Sequence, residues 1–133
     1  MTDHIDKLAL IVLDNRKLLV TRSHNKTAYY LPGGKREAGE SDAQALVREV
    51  KEELNVTLDE ASLHFVERFA AQADGKPEGV MVVMRCYQGQ FRGEPQPCHE
   101  IAELAWITTA DLAKCSKAAT LVVEYLHAKQ LID

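Results

Sequence analysis

The sequence predicts an α/β layered domain, because short strand-like segments rich in apolar residues accompany two well-separated amphipathic helices. Its 133 residues are near the usual length of one domain, and 46% hydrophobic with 27% charged residues is the balance of a globular protein. No internal repeat or low-complexity segment divides the chain. We therefore expect a single domain over residues 1–133.

The strands are predicted from short apolar runs bounded by turn residues. Asp14-Asn15-Arg16 predicts a turn between the first two runs, and Asp74-Gly75 predicts a hairpin between the fourth and fifth. Pro32-Gly33-Gly34 is expected to end the third run. The six runs cover residues 7–13, 17–22, 29–31, 63–73, 80–87 and 104–108.

Residues 41–54 give the clearest helix prediction. Ser41 followed by Gln44 is a capping-box pattern, and Asn55 suits a left-handed C-cap. The apolar face of this helix consists of Ala43, Leu46, Val47, Val50 and Leu54. A terminal helix is predicted over residues 120–131, with an apolar face formed by Leu121, Val122, Tyr125 and Leu126.

The net charge of −4 limits the kinds of partner that this chain can bind. Binding to a nucleic acid backbone normally rests on a basic footprint, and this chain has none in bulk. We therefore expect no nucleic acid partner, and a phosphate-bearing small molecule must be held by a local site. A bound metal ion is one way for an acidic protein to hold such an anion.

The three cysteines, Cys86, Cys98 and Cys115, form no CxxC pair, so neither a disulfide framework nor a zinc site is expected. This cysteine usage fits a reducing, cytoplasmic setting. The polar, acidic N-terminus lacks the plan of a signal peptide. Because no apolar run approaches the length needed to cross a bilayer, no membrane partner is expected.

Three carboxylates gather near the C-terminal end of the first helix. Residues three and four apart share a helix face, so Glu49 neighbours both Glu52 and Glu53. Like charges at this spacing destabilise a helix by roughly a few tenths of a kcal/mol, and the macrodipole disfavours negative charge at this end. A hard divalent cation, Mg²⁺ or alternatively Mn²⁺, removes the conflict because it prefers oxygen ligands. The alternative is a solvated acidic surface, since glutamate-rich helix faces are common.

The segment around these carboxylates resembles the Nudix box. That pattern is Gly, five residues, Glu, seven residues, Arg-Glu-apolar, one residue, Glu-Glu, one residue, Gly and an apolar residue. This chain departs from it once, with Asn55 in place of the second Gly, and Asn tolerates the left-handed conformation. The matching residues are Gly34, Glu40, Arg48, Glu49, Val50, Glu52, Glu53 and Val56.

The resemblance to this MutT-like family implies a Nudix α/β/α sandwich with a mixed sheet and a loop-helix-loop catalytic motif. It also implies hydrolysis of a phosphoanhydride in a nucleoside diphosphate linked to another group, by attack of water on phosphorus. Glu49, Glu52, Glu53 and the carbonyl of Gly33 would then bind the metal. Either Glu53 or Glu52 would also deprotonate or orient the attacking water.

Arg48 and Glu40 each have two interpretations. Arg48 lies one turn before Glu52, where a surface ion pair contributes little. The family resemblance implies instead that Arg48 orients a catalytic glutamate. Glu40 precedes the helix, where the macrodipole favours an acid, and the resemblance makes it a structural partner of Arg48. Gly34 is likewise a structural position of the box.

Candidate substrate contacts lie beside the glycines. Lys35 and Arg36 either contact phosphate or are solvated loop charges. Tyr29 and Tyr30 adjoin the same loop. Tyr30 is the candidate for contact with a base, although aromatic residues in strands more often belong to the core.

Glu100 follows a proline-rich loop and precedes the strand that holds the only tryptophan. In several Nudix relatives that cleave nucleoside triphosphates, a glutamate in this loop binds metal or acts as a base. Glu100 is therefore a catalytic candidate by resemblance. Glu103 is the competing residue, and an exposed surface glutamate is the alternative interpretation.

Several functions remain open at the level of sequence. The leading one is Mg²⁺-dependent hydrolysis of a (deoxy)nucleoside triphosphate or an oxidised nucleotide. A non-catalytic nucleotide-binding or regulatory module would keep the fold, but Arg48, Glu49, Glu52 and Glu53 are all present. Hydrolysis of a dinucleoside polyphosphate or a nucleotide sugar is a further alternative, although residues 70–73 lack the Tyr or Pro typical of relatives for dinucleoside polyphosphates or ADP-ribose. Homodimers occur in the family, and the sequence leaves the oligomeric state open.

Overall fold

The structure, a computed structural model that describes residues 4–133, contains nine strands and two α-helices within that range. Two short 3₁₀ helices, Glu60–Ser62 and Thr109–Lys114, connect some of these elements. The strands and helices are β1 His4–Leu10, β2 Leu13–Asp14, β3 Lys17–Ser23, β4 Gly33–Lys35, α1 Asp42–Leu54, β5 Thr57–Leu58, β6 His64–Gln72, β7 Met81–Gln88, β8 Phe91–Arg92, β9 Ile101–Ile107 and α2 Lys117–Ala128.

The strands form one mixed sheet and two smaller antiparallel sheets. The mixed sheet has the order β4-β1-β7-β6, in which β1 and β7 are parallel and the other neighbours are antiparallel. A second sheet has the order β2-β3-β9, and β5 pairs with β8. Antiparallel β6 and β7 flank the predicted hairpin signal at Asp74-Gly75. The mixed α/β architecture expected from the sequence is therefore confirmed.

Strand β1 shows how the layers are arranged. Successive side chains of a strand point to opposite faces. Leu8 and Leu10 belong to the core cluster that includes the buried face of α1, whereas Ala9 belongs to the cluster that includes α2. The strands therefore lie between the two helices, which is the expected α/β/α sandwich.

Helix α1 begins and ends as the sequence predicts. The Oγ of Ser41 accepts a hydrogen bond from the Gln44 amide at 3.1 Å, and the Gln44 side chain accepts one from the Ser41 amide at 2.9 Å. Asn55 adopts the left-handed conformation with φ 57°, and its amide donates to the Lys51 carbonyl. The predicted apolar face is confirmed at Leu46, Val50 and Leu54; Ala45 is also buried, while Ala43 and Val47 are half-buried.

The prediction of a strand over residues 29–31 is wrong, because Tyr29 and Tyr30 form only isolated bridges, and a strand begins instead at Gly33, where β4 starts. Gly33 pairs with Ala9 of β1 and has φ 139°, a conformation that favours glycine. A Cβ at Gly33 would lie 2.0 Å from the Leu8 carbonyl oxygen. The glycine therefore allows β4 to approach β1 closely.

Helix α2 starts earlier than predicted, at Lys117, because Ser116 caps it. The Ser116 Oγ accepts a hydrogen bond from the Ala119 amide at 3.1 Å. The buried face also differs from the predicted one and consists of Ala119, Val122, Val123 and Leu126. Between residues 4 and 133, neither this helix nor any other is long and apolar enough to cross a membrane.

Arg48 of α1 holds the loop that precedes the helix. Arg48 donates from Nε and Nη2 to the two carboxylate oxygens of Glu40, at 2.8 and 2.9 Å. Glu40 also accepts a hydrogen bond from the Glu37 amide at 2.8 Å. These bonds to its charged form, with that of Arg48 the strongest, lower the pKa of Glu40 to about 2.

Replacing Glu40 by Gln is expected to lower the melting temperature at neutral pH. The folded-state pKa of about 2 lies below the ordinary value of 4.5. The ionised form therefore stabilises the fold above about pH 4.5, and this contribution is lost as the pH falls toward 2. Thermal unfolding of wild-type and Glu40→Gln protein across this pH range measures the difference, which we expect to shrink with acidification.

Glu37→Gln is the matched control for this experiment. Glu37 also pairs with Arg48, at 3.1 Å, but its side chain is 64% exposed, and exposed ion pairs contribute little. We expect a smaller change from this substitution. A difference between wild type and Glu40→Gln that stays constant down to pH 2 would contradict the assignment.

Candidate active site

The three box glutamates differ sharply in exposure. Glu53 is 7% exposed as a residue. The side chain of Glu49 is 14% exposed, whereas that of Glu52 is 48% exposed. The sequence alone does not distinguish the three carboxylates, but in the structure Glu53 is buried, Glu49 is partly buried and Glu52 is exposed.

Glu53 is held against strand β4. Its Oε1 accepts a hydrogen bond from the Gly33 amide at 2.9 Å, which brings the predicted Gly33 site next to the carboxylate. Burial raises the pKa of Glu53 to about 8; the charges of Glu49 and Glu100 add to this rise, and the Gly33 bond opposes it. Glu53 is therefore a buried acid whose charged form needs a nearby positive charge.

Glu49 packs against Gly34. A Cβ at Gly34 would lie 2.5–2.7 Å from the carboxylate atoms of Glu49, so a side chain here would displace that carboxylate from its position. Burial raises the pKa of Glu49, Arg48 partly offsets the rise, and the charges of Glu52 and Glu100 add to it. The two box positions thus fit each other sterically.

Arg48 contacts the carboxylates as well as the loop. Its Nη1 donates to Glu49 Oε1 at 3.0 Å, and its Nη2 donates to the Lys35 carbonyl at 3.1 Å. The ion pair with Glu52, four residues along the helix, is longer at 3.6 Å. Hydrogen bonds to Glu40, and then to Glu49, raise the pKa of Arg48. This geometry favours a role in holding Glu49 over a simple surface pair with Glu52.

A cavity of about 250 Å³ adjoins the buried carboxylate. Gly33, Glu53, Lys35 and Tyr30 all line it, so these sequence candidates share one site. Its remaining walls are largely apolar and come from the mixed sheet, β3, β9 and the start of α2. The cavity can therefore bind a ligand that is partly apolar and partly anionic.

Arg36 does not share this cavity. Its guanidinium forms ion pairs with Asp42 and with Asp6, the latter at 3.1 Å. Tyr29 packs against the hydrophobic core instead of lining the cavity. Of the two neighbouring pairs in the sequence, the structure brings Lys35 and Tyr30 to the cavity and places Arg36 and Tyr29 elsewhere.

The structure also distinguishes Glu100 from Glu103, the two candidates for an additional catalytic glutamate. Glu103 accepts a hydrogen bond from Arg22 Nε at 2.7 Å and so pairs across the β3–β9 ladder. Glu100 is exposed, and its charge raises the pKa of both Glu49 and Glu53. Glu100 is therefore the one electrostatically coupled to the box carboxylates.

Sequence reasoning missed Lys7. It was treated only as the first residue of a strand, but its side chain lines the cavity, with Nζ 5.6 Å from the centroid of the Tyr30 ring. Burial lowers the pKa of Lys7, Lys35 lowers it further, and Glu53 opposes this shift. The available signal was a single charged residue at the start of an apolar run.

The carboxylates fit a hard divalent cation by their chemistry. In the described part of the chain, no three His, Cys, Asp or Glu side chains already form a metal-binding group. Arg48 instead neutralises Glu49 and Glu52. Burial first, and then the neighbouring carboxylates, raise the pKa of Glu49 and Glu53, so their ionised forms lack compensation. Mg²⁺, which prefers oxygen donors, would supply that compensation.

Comparison with known proteins places this geometry in a family. Residues 4–127 match the family model for the NUDIX domain. No curated protein sequence matches the chain significantly. Many solved structures do match, and three of them illustrate the range.

The ORF135 protein of E. coli is 25% identical, with a TM-score of 0.74 and coverage of 97% of this chain and 92% of that one. A MutT structure from work on Aliivibrio salmonicida and Vibrio cholerae is 28% identical, with a TM-score of 0.72 and coverage of 96% of this chain and 99% of that one. MutT from Methanosarcina mazei Go1 is 16% identical and shares the fold, with a TM-score of 0.77 and coverage of 97% and 96%.

The family generally uses divalent metal ions such as Mg²⁺ and acts on small-molecule nucleotides. With the family model covering nearly the whole length and the box residues assembled beside one cavity, the chain belongs to the NUDIX family and is a Nudix-type pyrophosphohydrolase.

Proposed function

We propose that this protein hydrolyses a phosphoanhydride bond of a (deoxy)nucleoside triphosphate or an oxidised nucleotide in a Mg²⁺-dependent reaction. The observation that carries the proposal is the buried Glu53, which borders the cavity and is fixed by the Gly33 amide. Buried carboxylates are unfavourable unless a cation or hydrogen bonds compensate them. Such an arrangement is expected where a metal-bound phosphate chain has to be held.

Glu49, Glu52 and Glu53, with the Gly33 carbonyl, are the proposed metal ligands. Mg²⁺, when bound, neutralises charge on the phosphate oxygens and lowers the pKa of coordinated water. Glu49 and Glu53 are already fixed, by Arg48 and by the Gly33 amide. Glu52 is half-exposed and can complete the site from the solvent side.

Glu53 is the proposed general base. Its carboxylate borders the cavity where water and the phosphate chain would meet. An acid with a pKa raised toward neutrality is suited to accept a proton from water. Glu52 is the alternative, and the negative charge of Glu100 supports Glu53 by raising its pKa, which makes the Glu53 carboxylate more basic.

Features of the cavity and of the box support the proposed substrate class. Apolar lining residues suit a flat base, and Tyr30 and Lys35 line the same cavity as Glu53. The complete set Arg48, Glu49, Glu52 and Glu53 argues for catalysis over a binding module. Residues 70–73 carry neither the Tyr nor the Pro expected for dinucleoside polyphosphates or ADP-ribose.

We also propose that one domain over residues 1–133 acts on free nucleotides in a reducing, cytoplasmic setting. Cys86, Cys98 and Cys115 are free thiols, as expected of that setting. The net charge of −4 argues against a nucleic acid substrate.

Turnover of a nucleotide panel by wild-type protein and by Glu53→Gln tests the proposal. We expect Mg²⁺-dependent release of pyrophosphate or phosphate from at least one nucleoside triphosphate. Glu53→Gln should lower kcat by about 10²–10⁴-fold, because it removes the proposed base and a metal ligand. Gln keeps an oxygen for the Gly33 amide, so the melting temperature should change little.

Glu124→Gln is the matched control, because Glu124 is exposed on α2 and lies outside the cavity. We expect it to retain wild-type turnover. A near-normal kcat in Glu53→Gln would contradict the proposed role. Nucleotide binding by the wild type without turnover of any panel member would favour the non-catalytic module.

A further inference from the structure

Lys7 and Lys35 stand side by side on neighbouring strands. Lys7 of β1 is the direct partner of Lys35 of β4 in the antiparallel register, and both side chains line the cavity. Directly opposed side chains of an antiparallel pair lie about 4.5–5.5 Å apart at Cβ, and like charges there destabilise the sheet. A bound anion between these side chains would turn the repulsion into attraction.

Two more lysines, Lys26 and Lys76, line the same cavity. Within residues 4–133, none of the four lysines forms an ion pair. Lys26, Lys35 and Lys76 are exposed and can be neutralised by solvent ions, whereas Lys7 is half-buried. The same lining includes two acidic residues, Glu53 and Asp74, so the four lysines leave positive charge in excess here although the chain as a whole carries −4.

The charges of Glu53 and Glu49 compensate the half-buried ammonium of Lys7 in part, but neither forms an ion pair with it in the described chain. Its neighbour in the structure is the Tyr30 ring, at 5.6 Å from the centroid. Glu53 borders the same cavity, but it forms no ion pair with Lys7. A cation placed in this way gains from an anionic ligand that enters the cavity.

A phosphate chain is complementary in charge to the lysines of the cavity, and through a bound cation also to its carboxylate. On the side of Glu53, a cation is required between the carboxylate and phosphate. On the side of β1, the ammonium groups of Lys7 and Lys35 can donate directly to phosphate oxygens. We propose that Lys7 binds a non-bridging oxygen of the nucleotide's phosphate chain from the β1 side, with Lys35 beside it. This inference rests on the proposed function and assigns a substrate-positioning residue to it.

The competing explanation is that Lys7 only balances the charge of Glu49 and Glu53. The two explanations differ in what they predict for phosphate binding without metal. A phosphate contact requires that loss of Lys7 weakens that binding. A simple counter-ion predicts unchanged phosphate binding and altered affinity for the metal alone.

Calorimetric titration with inorganic tripolyphosphate in excess EDTA tests the contact. We expect Lys7→Met to weaken the affinity about tenfold or more, as for loss of a hydrogen bond between charged groups. Lys7→Arg, which keeps the charge, should retain most of the affinity. Lys17→Met is the charge-matched control, because Lys17 is exposed on β3 and lies outside the cavity.

Steady-state kinetics with Mg²⁺ and the best nucleotide of the panel give a second readout. We expect Lys7→Met to raise KM by a similar factor and to change kcat less, as for a contact made in both ground and transition states. A melting temperature of Lys7→Met close to that of Lys7→Arg would show that Lys7→Met is folded.

The proposal is overturned if Lys7→Met binds tripolyphosphate as the wild type does, or if the wild type fails to bind it. Altered Mn²⁺ affinity with unchanged tripolyphosphate affinity would identify the counter-ion role instead. Failure of the proposed function is distinct, because it would show as absent turnover in the wild type while Lys7-dependent binding of tripolyphosphate persisted.

Discussion

Burial of like charges at the C-terminal end of α1 is the constraint on which the rest of the site depends. Glu49 and Glu53 sit where the helix macrodipole, desolvation and mutual repulsion all oppose their ionisation. The fold compensates with one backbone amide, from Gly33, and one guanidinium, from Arg48. The compensation is incomplete, since the pKa values of both glutamates are raised. The proposed divalent cation would supply the positive charge that is still lacking.

The glycines show that fold and site share the same contacts. Gly33 allows β4 to approach β1, and that approach delivers its amide to Glu53. Gly34 leaves the space that Glu49 occupies. A side chain at either position would disturb strand pairing or carboxylate placement. The same pairing of β4 with β1 puts Lys7 opposite Lys35, so the placement of these two lysines also depends on the close approach at Gly33.

Local chemistry made part of this structure predictable from sequence. Helix caps depend on neighbouring residues, so the capping roles of Ser41, Gln44 and Asn55 could be predicted from the sequence. Helical spacing likewise predicted that the box glutamates share one face of α1. Burial depends on distant segments of the chain. The difference in exposure between Glu52 and Glu53 therefore could not be predicted from the sequence. Lys35 and Arg36 are adjacent and similar, yet Arg36 turns to Asp6 and Asp42, which no local pattern reveals. The start of α2 is also set by a local cap, because Ser116 is a favourable N-cap residue.

The central claim is that buried carboxylates on α1 bind a divalent cation. Electron paramagnetic resonance of free Mn²⁺, titrated against nucleotide-free wild-type protein and Glu49→Gln, tests it most directly. Glu124→Gln serves as the charge-matched control. The account predicts saturable Mn²⁺ binding by the wild type and by Glu124→Gln, with affinity lower by at least about tenfold in Glu49→Gln. Equal binding by wild type and Glu49→Gln, or no saturable binding by the wild type, would contradict it.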